Sequence, residues 1–211
     1  MYAMSSSLDT LRAKIQEHKA CILDAHKYTH SAVFLPLIRQ EDGKCCLLFE
    51  VRSRHLKTQP GEICFPGGHV QPEDGDAEKT ALRETCEELG VLPNSLEIWG
   101  ALDIFITPFM QIIHPFVGLL KEPQSIKPNP HEVDEVFTIP LERLIYLTPE
   151  YHEINIEAHP PDDFPFHKIP RGRNYRWRKA RWPELFYEID GRIIWGLTAR
   201  ILHHFLTIIK T

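Results

Sequence analysis

The chain has 211 residues, of which 43% are hydrophobic and 25% charged, and a formal net charge of -5. That is room for one generous domain with the make-up of an ordinary globular protein, and the acidic sum argues against a general nucleic-acid or anionic-membrane binder. No run reaches the roughly 18 apolar residues of a membrane span, and the N-terminus has no signal-peptide core, so a cytoplasmic protein is expected.

Leu8, Leu11, Ile15 and Ile22 recur at near-helical spacing behind Ser7 or Asp9, which predicts an amphipathic helix over residues 8–20. It is expected to cover one face of the core, with a homodimer contact as the alternative. Ser31 to Arg39 and Cys45 to Val51 are β-rich apolar runs around Gln40-Glu41-Asp42-Gly43-Lys44, the pattern of a hairpin. Arg52, Arg54 and Lys57 follow on a loop, where they are either exposed bases or phosphate contacts.

Gly61 to Val91 carries the strongest chemical signal. Phe65-Pro66-Gly67-Gly68 reads as a strand ending in a tight loop, in which paired glycines permit close backbone approach. A short helix follows, capped by Asp76 or Asp74 and ended by Gly90. At about 100° per residue, Glu84, Glu87 and Glu88 share one face, while Leu82, Thr85, Cys86 and Leu89 lie opposite. Carboxylates at these spacings repel, so a cation is expected beside them. Arg83 offsets part of the charge, and a hard ion such as Mg²⁺ or Mn²⁺, completed by water and phosphate oxygens, would offset the rest. A solvated acidic face is the bland alternative.

Leu96 to Ile106 and Gln111 to Leu120 predict a strand pair around Thr107-Pro108-Phe109, with Phe109 expected to be buried. A proline-rich loop, Glu122 to Pro130, precedes a strand within His131 to Leu141, a short helix over Leu141 to Leu147 and an alternating stretch from Tyr151 to His159. Residues 160–183 then concentrate Arg171, Arg173, Arg176, Arg178, Lys179 and Arg181 among Tyr175, Trp177 and Trp182. Basic residues interleaved with aromatics are one mark of nucleic-acid binding, but in an acidic chain a local insertion or lid over a phosphorylated small molecule is preferred. Asp190-Gly191 marks another hairpin, and Trp195 to Ile209 a closing helix. Five cysteines without a C-x-x-C pair, and twelve histidines without ligand spacing, suggest neither a disulfide framework nor a zinc site.

Arg83-Glu84-Thr85-Cys86-Glu87-Glu88-Leu89-Gly90-Val91 resembles the second half of the Nudix box, R-E-U-x-E-E-x-G-U, with Thr85 in place of an aliphatic residue. Its first half is one residue longer than the common pattern, which leaves Asp74 or Glu73 for the box glutamate. Upstream, Leu48-Phe49-Glu50-Val51-Arg52-Ser53, then Lys57, Gly61 and Phe65-Pro66-Gly67-Gly68, keep every spacing of the signature of coenzyme A diphosphatases. Phe49, Glu50 and Lys57 replace its Leu, Thr and Arg. Ile194-Trp195-Gly196-Leu197-Thr198-Ala199-Arg200 is similar to the C-terminal part of the same branch.

The resemblance implies an α/β fold, the Nudix α/β/α sandwich around a mixed sheet, with residues 1–211 as a single domain. It also implies Mg²⁺- or Mn²⁺-dependent hydrolysis of the diphosphate of coenzyme A or an acyl derivative. Glu84 and Glu88 would hold the metal, with Glu87 as a further ligand or the base, Arg83 would organise them, and Arg52, Lys57, Gly67 and Gly68 would receive the substrate. Glu132 or Glu135 is an alternative base. The rival readings are a Nudix diphosphatase of ADP-ribose or a dinucleotide, and a non-catalytic Nudix-fold sensor. Neither nucleic acid nor membrane is an expected partner.

Overall fold

The computed structural model describes residues 7–210. The first helix, α1 (Leu8–Glu17), is capped by the Ser7 hydroxyl as its sequence suggests, but none of its residues is buried. Leu8, Leu11 and Ile15 remain 84%, 44% and 73% exposed, so the expectation that α1 covers the core is overturned. An amphipathic pattern predicts a helix without saying what its apolar stripe meets.

β1 (Thr29–Arg39) and β2 (Cys45–Arg52) form the expected hairpin, with Arg39 opposite Cys45 and Gly43 at φ 82° in the turn. Six further strands join them in one mixed sheet: β3 (Ile63–Cys64), β4 (Gly67–His69), β5 (Leu96–Ala101), β6 (Phe105–Ile106), β7 (Gln111–Leu120) and β8 (Val133–Pro140). β1 and β7 run parallel from Thr29 opposite Gln111 to Leu37 opposite Leu119, and the other pairs are antiparallel.

The central strands read as nearly unbroken apolar runs because both of their faces are covered. Phe34, Ile38, Cys46 and Leu48 pack on one side with Ala81 and Leu89 of the acidic helix, α2 (Ala77–Leu89). Leu35, Leu37, Leu47 and Phe49 pack on the other, against the closing helix α4 (Gly196–Lys210), which follows a short α3 (Leu141–Tyr146). Each large side chain fully buried in these layers contributes about 1.5–3 kcal/mol. The layer containing α4 also holds an antiparallel sheet, β11-β10-β9, made of β9 (Glu150–Ile156), β10 (Ala180–Ile189) and β11 (Arg192–Trp195). Leu185, Tyr187 and Ile189 of β10 and Ile194 of β11 complete the second core.

The basic and aromatic segment loops from 157 to 179 before becoming β10. Three of its cations are engaged locally. Lys179 pairs with Glu157 at 2.7 Å, Arg181 with Glu153 at 3.3 Å, and Arg173 lies 4.8 Å over the Phe166 ring. Of this segment only its last aromatic, Trp182, lines the main cleft, and none of its arginines does.

Candidate active site

The cleft opens where β1 changes partner along one edge. Leu37 to Arg39 pair with β2, whereas Ser31 to Val33 pair with β4, which brings the glycine loop against α2. The resulting cavity of about 690 Å³ is lined by Ser31, Arg52, Gly67, Gly68, Glu84 and Glu88 on one side. Phe105, Phe109, Trp182, Glu184, Trp195 and Arg200 line the other.

α2 is held at both ends. Asp76 accepts from Lys79 N at 2.9 Å, and Gly90 turns left-handed at φ 62°. Lys127 N and Asn129 N then donate to the carbonyls of Leu89 and Glu88, each at 2.9 Å, so the proline-rich loop satisfies carbonyls a helix end leaves open. Thr85 fits a fully buried position because its hydroxyl donates to Ala81 O at 2.6 Å, which explains how it can replace an aliphatic residue.

The three helix glutamates have different surroundings. Glu88 is buried, and its Oε2 accepts from Gly67 N at 2.8 Å. Glu84 lies under Gly68, where any β-carbon would run into its carboxylate. Glu87 is half exposed, is not among the residues lining the cavity and accepts from Arg83 Nη1 at 3.1 Å. Burial raises the pKa of Glu84, and burial with the neighbouring Glu50 carboxylate raises that of Glu88 further.

Arg83 joins these groups. It donates to Asp74 through Nε at 2.7 Å and Nη2 at 3.0 Å, and its Nη2 also lies 2.9 Å from Glu84 Oε1. Asp74 accepts in addition from Thr80 Oγ1 at 2.8 Å and Gln71 N at 2.9 Å, and these bonds, Arg83 first, hold its carboxyl well below the usual range. Its oxygens are thus spent on orienting Arg83, while Glu73 is exposed. Asp74→Asn removes an acceptor and turns an N–H towards the guanidinium. Turnover is expected to fall about tenfold, as for other orienting residues, with little change in KM. Unchanged kcat in a folded variant would disprove the role.

The remaining sequence candidates separate clearly. Arg52 lines the cleft, and its buried Nε has no hydrogen-bond partner among the described residues. Lys57 is exposed; its neighbours Leu56, Thr58 and Gln59 line the cavity instead. Glu132 lines the cavity and accepts from Asn129 Nδ2 at 3.0 Å, whereas Glu135 is held bidentately by Arg192 at 2.7 and 3.0 Å, outside it. Phe109, expected to be buried, lines the cavity but is 66% exposed, because it lies in the turn joining β6 to β7.

Sequence reasoning missed Glu50. It is only 1% exposed, accepts from Cys64 Sγ at 3.3 Å through Oε1, and its Oε2 has no partner among the described residues. Burial raises its pKa despite Arg52 nearby. The available signal was a charge inside the apolar run from Cys45 to Val51, two residues before Arg52 on the same strand.

Residues 28–160 match the family model described as the NUDIX domain. The chain is 36% identical to the mouse peroxisomal coenzyme A diphosphatase NUDT7 over 66% of its length and 59% of that protein's. It is 42% identical to the human mitochondrial coenzyme A diphosphatase NUDT8 over 54% of its length and 50% of the relative's. It therefore spans roughly half to three fifths of these two relatives. A MutT/nudix family protein from Enterococcus faecalis has the same fold, with a TM-score of 0.51 at 15% identity, covering 99% of this chain and 71% of that one.

Proposed function

Because the chain belongs to the Nudix hydrolase family, we propose that its single domain cleaves the diphosphate of coenzyme A or an acyl-CoA. The products are adenosine 3',5'-bisphosphate and (acyl-)4'-phosphopantetheine. The names of the mouse and human relatives support this substrate, as do the spacings from Leu48 to Gly68. The observation that carries the reading is the bond from Gly67 N to Glu88 Oε2, with Glu84 packed under Gly68, which sets two carboxylates on the floor of a cleft that Arg52 also lines.

The donor set fits a hard divalent cation. Glu84, Glu88, Glu132 and the buried Glu50 supply only oxygen, and their mutual repulsion contributes to the raised pKa of Glu88. Among the described residues no three acidic, His or Cys groups cage an ion unaided, so Mg²⁺ or Mn²⁺ at this site would need water and substrate oxygens as its other ligands. Glu84 and Glu88 would hold the ion, which when bound offsets phosphate charge and acidifies water. Arg83 fixes Glu84, and Arg52, which lines the cleft, offers its guanidinium to a phosphate oxygen. Glu132 takes the proton of the attacking water, because it lines the cleft and neither Glu87 nor Glu135 does.

No helix among the described residues is long and apolar enough to cross a membrane. The relatives' names, peroxisomal and mitochondrial, lend no support to a cytoplasmic location. The decisive experiment is incubation with coenzyme A, ADP-ribose and a dinucleotide in Mg²⁺ or Mn²⁺, with products identified by mass. Adenosine 3',5'-bisphosphate and 4'-phosphopantetheine are expected from coenzyme A. Intact coenzyme A beside cleaved ADP-ribose would move the protein to another substrate.

A further inference from the structure

The wall opposite the carboxylates has a chemistry that diphosphate cleavage does not use. Side chains alternate along a strand, so while Leu185, Tyr187 and Ile189 of β10 enter the core, Trp182, Glu184 and Phe186 share the other face. Trp182 stacks on Phe105 with centroids 5.9 Å apart, and Phe186 stacks on Trp195 at the same separation. Glu184 lies between these two stacked pairs along the strand. Its Oε2 is buried and has no hydrogen-bond partner among the described residues.

Arg200 does not neutralise this acceptor through an ion pair. Its guanidinium lies 5.0 Å over Phe105 and 5.3 Å over Trp182, and Nη1 donates to Pro183 O at 3.1 Å. The wall therefore offers flat rings, a fixed cation over two of them and a carboxylate with one unsatisfied oxygen. A phosphate would meet the Glu184 carboxylate. An aliphatic amide chain would gain little from the rings. A flat heterocycle with an amino substituent satisfies both features.

We propose that this wall binds an adenine-type base on its aromatic rings, with the exocyclic amino group donating to Glu184 Oε2. The assignment rests on reading the cleft as a nucleotide diphosphate site and deepens it. Glu184 becomes a specificity-determining residue, because hypoxanthine presents a carbonyl where adenine presents the amino group and would set acceptor against acceptor.

The test is metal-free calorimetry, so that binding is read without turnover. Wild-type protein should bind adenosine 3',5'-bisphosphate about tenfold more tightly than its inosine counterpart, the effect of one well-placed hydrogen bond. Glu184→Gln, which preserves shape and offers both donor and acceptor, should reduce that preference to about threefold or less. Equal binding of the two nucleotides by wild-type protein overturns the proposal, as does a Glu184→Gln change that alters affinity for 4'-phosphopantetheine alone. The wild-type comparison stands even if the variant does not fold. Failure of the coenzyme A reading is separately visible, as intact coenzyme A alongside a preserved adenine preference. Failure of this proposal would leave coenzyme A cleaved and the base preference absent.

Discussion

Glu88→Gln is expected to lower coenzyme A turnover by about a thousandfold, the upper range for deleting one charge-stabilising group from an active site. The fold should persist. The amide oxygen of Gln can still accept from Gly67 N, the bond that Glu88 Oε2 makes at 2.8 Å. Burial and the Glu50 carboxylate already oppose ionisation of Glu88, so a neutral side chain of the same shape relieves repulsion. The melting temperature should therefore be equal or higher, while Mn²⁺ affinity falls. Retained activity in the variant would remove Glu88 from the site.

Substituting the two loop glycines should separate stability from catalysis. At Gly67, with φ 155°, a β-carbon would meet the carbonyl of Ala32 and the Cα of Val33, which are backbone atoms of a central strand and cannot step aside. Gly67→Ala is expected to cost at least about 2 kcal/mol, or about 4–8 °C in melting temperature for a chain of this size. Gly68 has no positive φ, and the nearest atoms its added carbon would meet belong to the Glu84 carboxylate, the end of a side chain that can rotate away. Gly68→Ala should leave melting nearly unchanged and reduce kcat by about a hundredfold, because displacing a reacting group by about an ångström has that effect. Thermal melts and steady-state kinetics of the pair distinguish the cases. A fully active Gly68→Ala would show that Glu84 need not occupy its observed position.

This contrast also adds a reason for the glycine pair. Beside the approach of a diphosphate that the resemblance implies, the protein itself keeps both residues small, one through β1 and the other through Glu84. Arg83 offers a similar lesson. Its i,i+4 contact with Glu87 could be counted along the helix, but its bidentate partner Asp74 precedes the helix and reaches it only because the loop folds back. Glu132 and Glu135 stood as equal alternatives in the sequence. Arg192, brought alongside by β11, engages Glu135 and leaves Glu132 on the cleft.

What the sequence determined by itself was local. The bounds of α2, the hairpin at Gln40–Lys44, the hairpin at Asp190-Gly191 and the acidic face of the helix follow from caps, left-handed glycines and periodicity, all of which act within a few residues. Only tertiary structure decided which edge of β1 receives β4, why no residue of α1 is buried, and how Trp182 and Glu184 come to line the same cleft as Glu84 and Glu88. Those outcomes depend on burial shared between segments far apart in the chain. Such burial is a property of the assembled layers and is absent from any short window of residues.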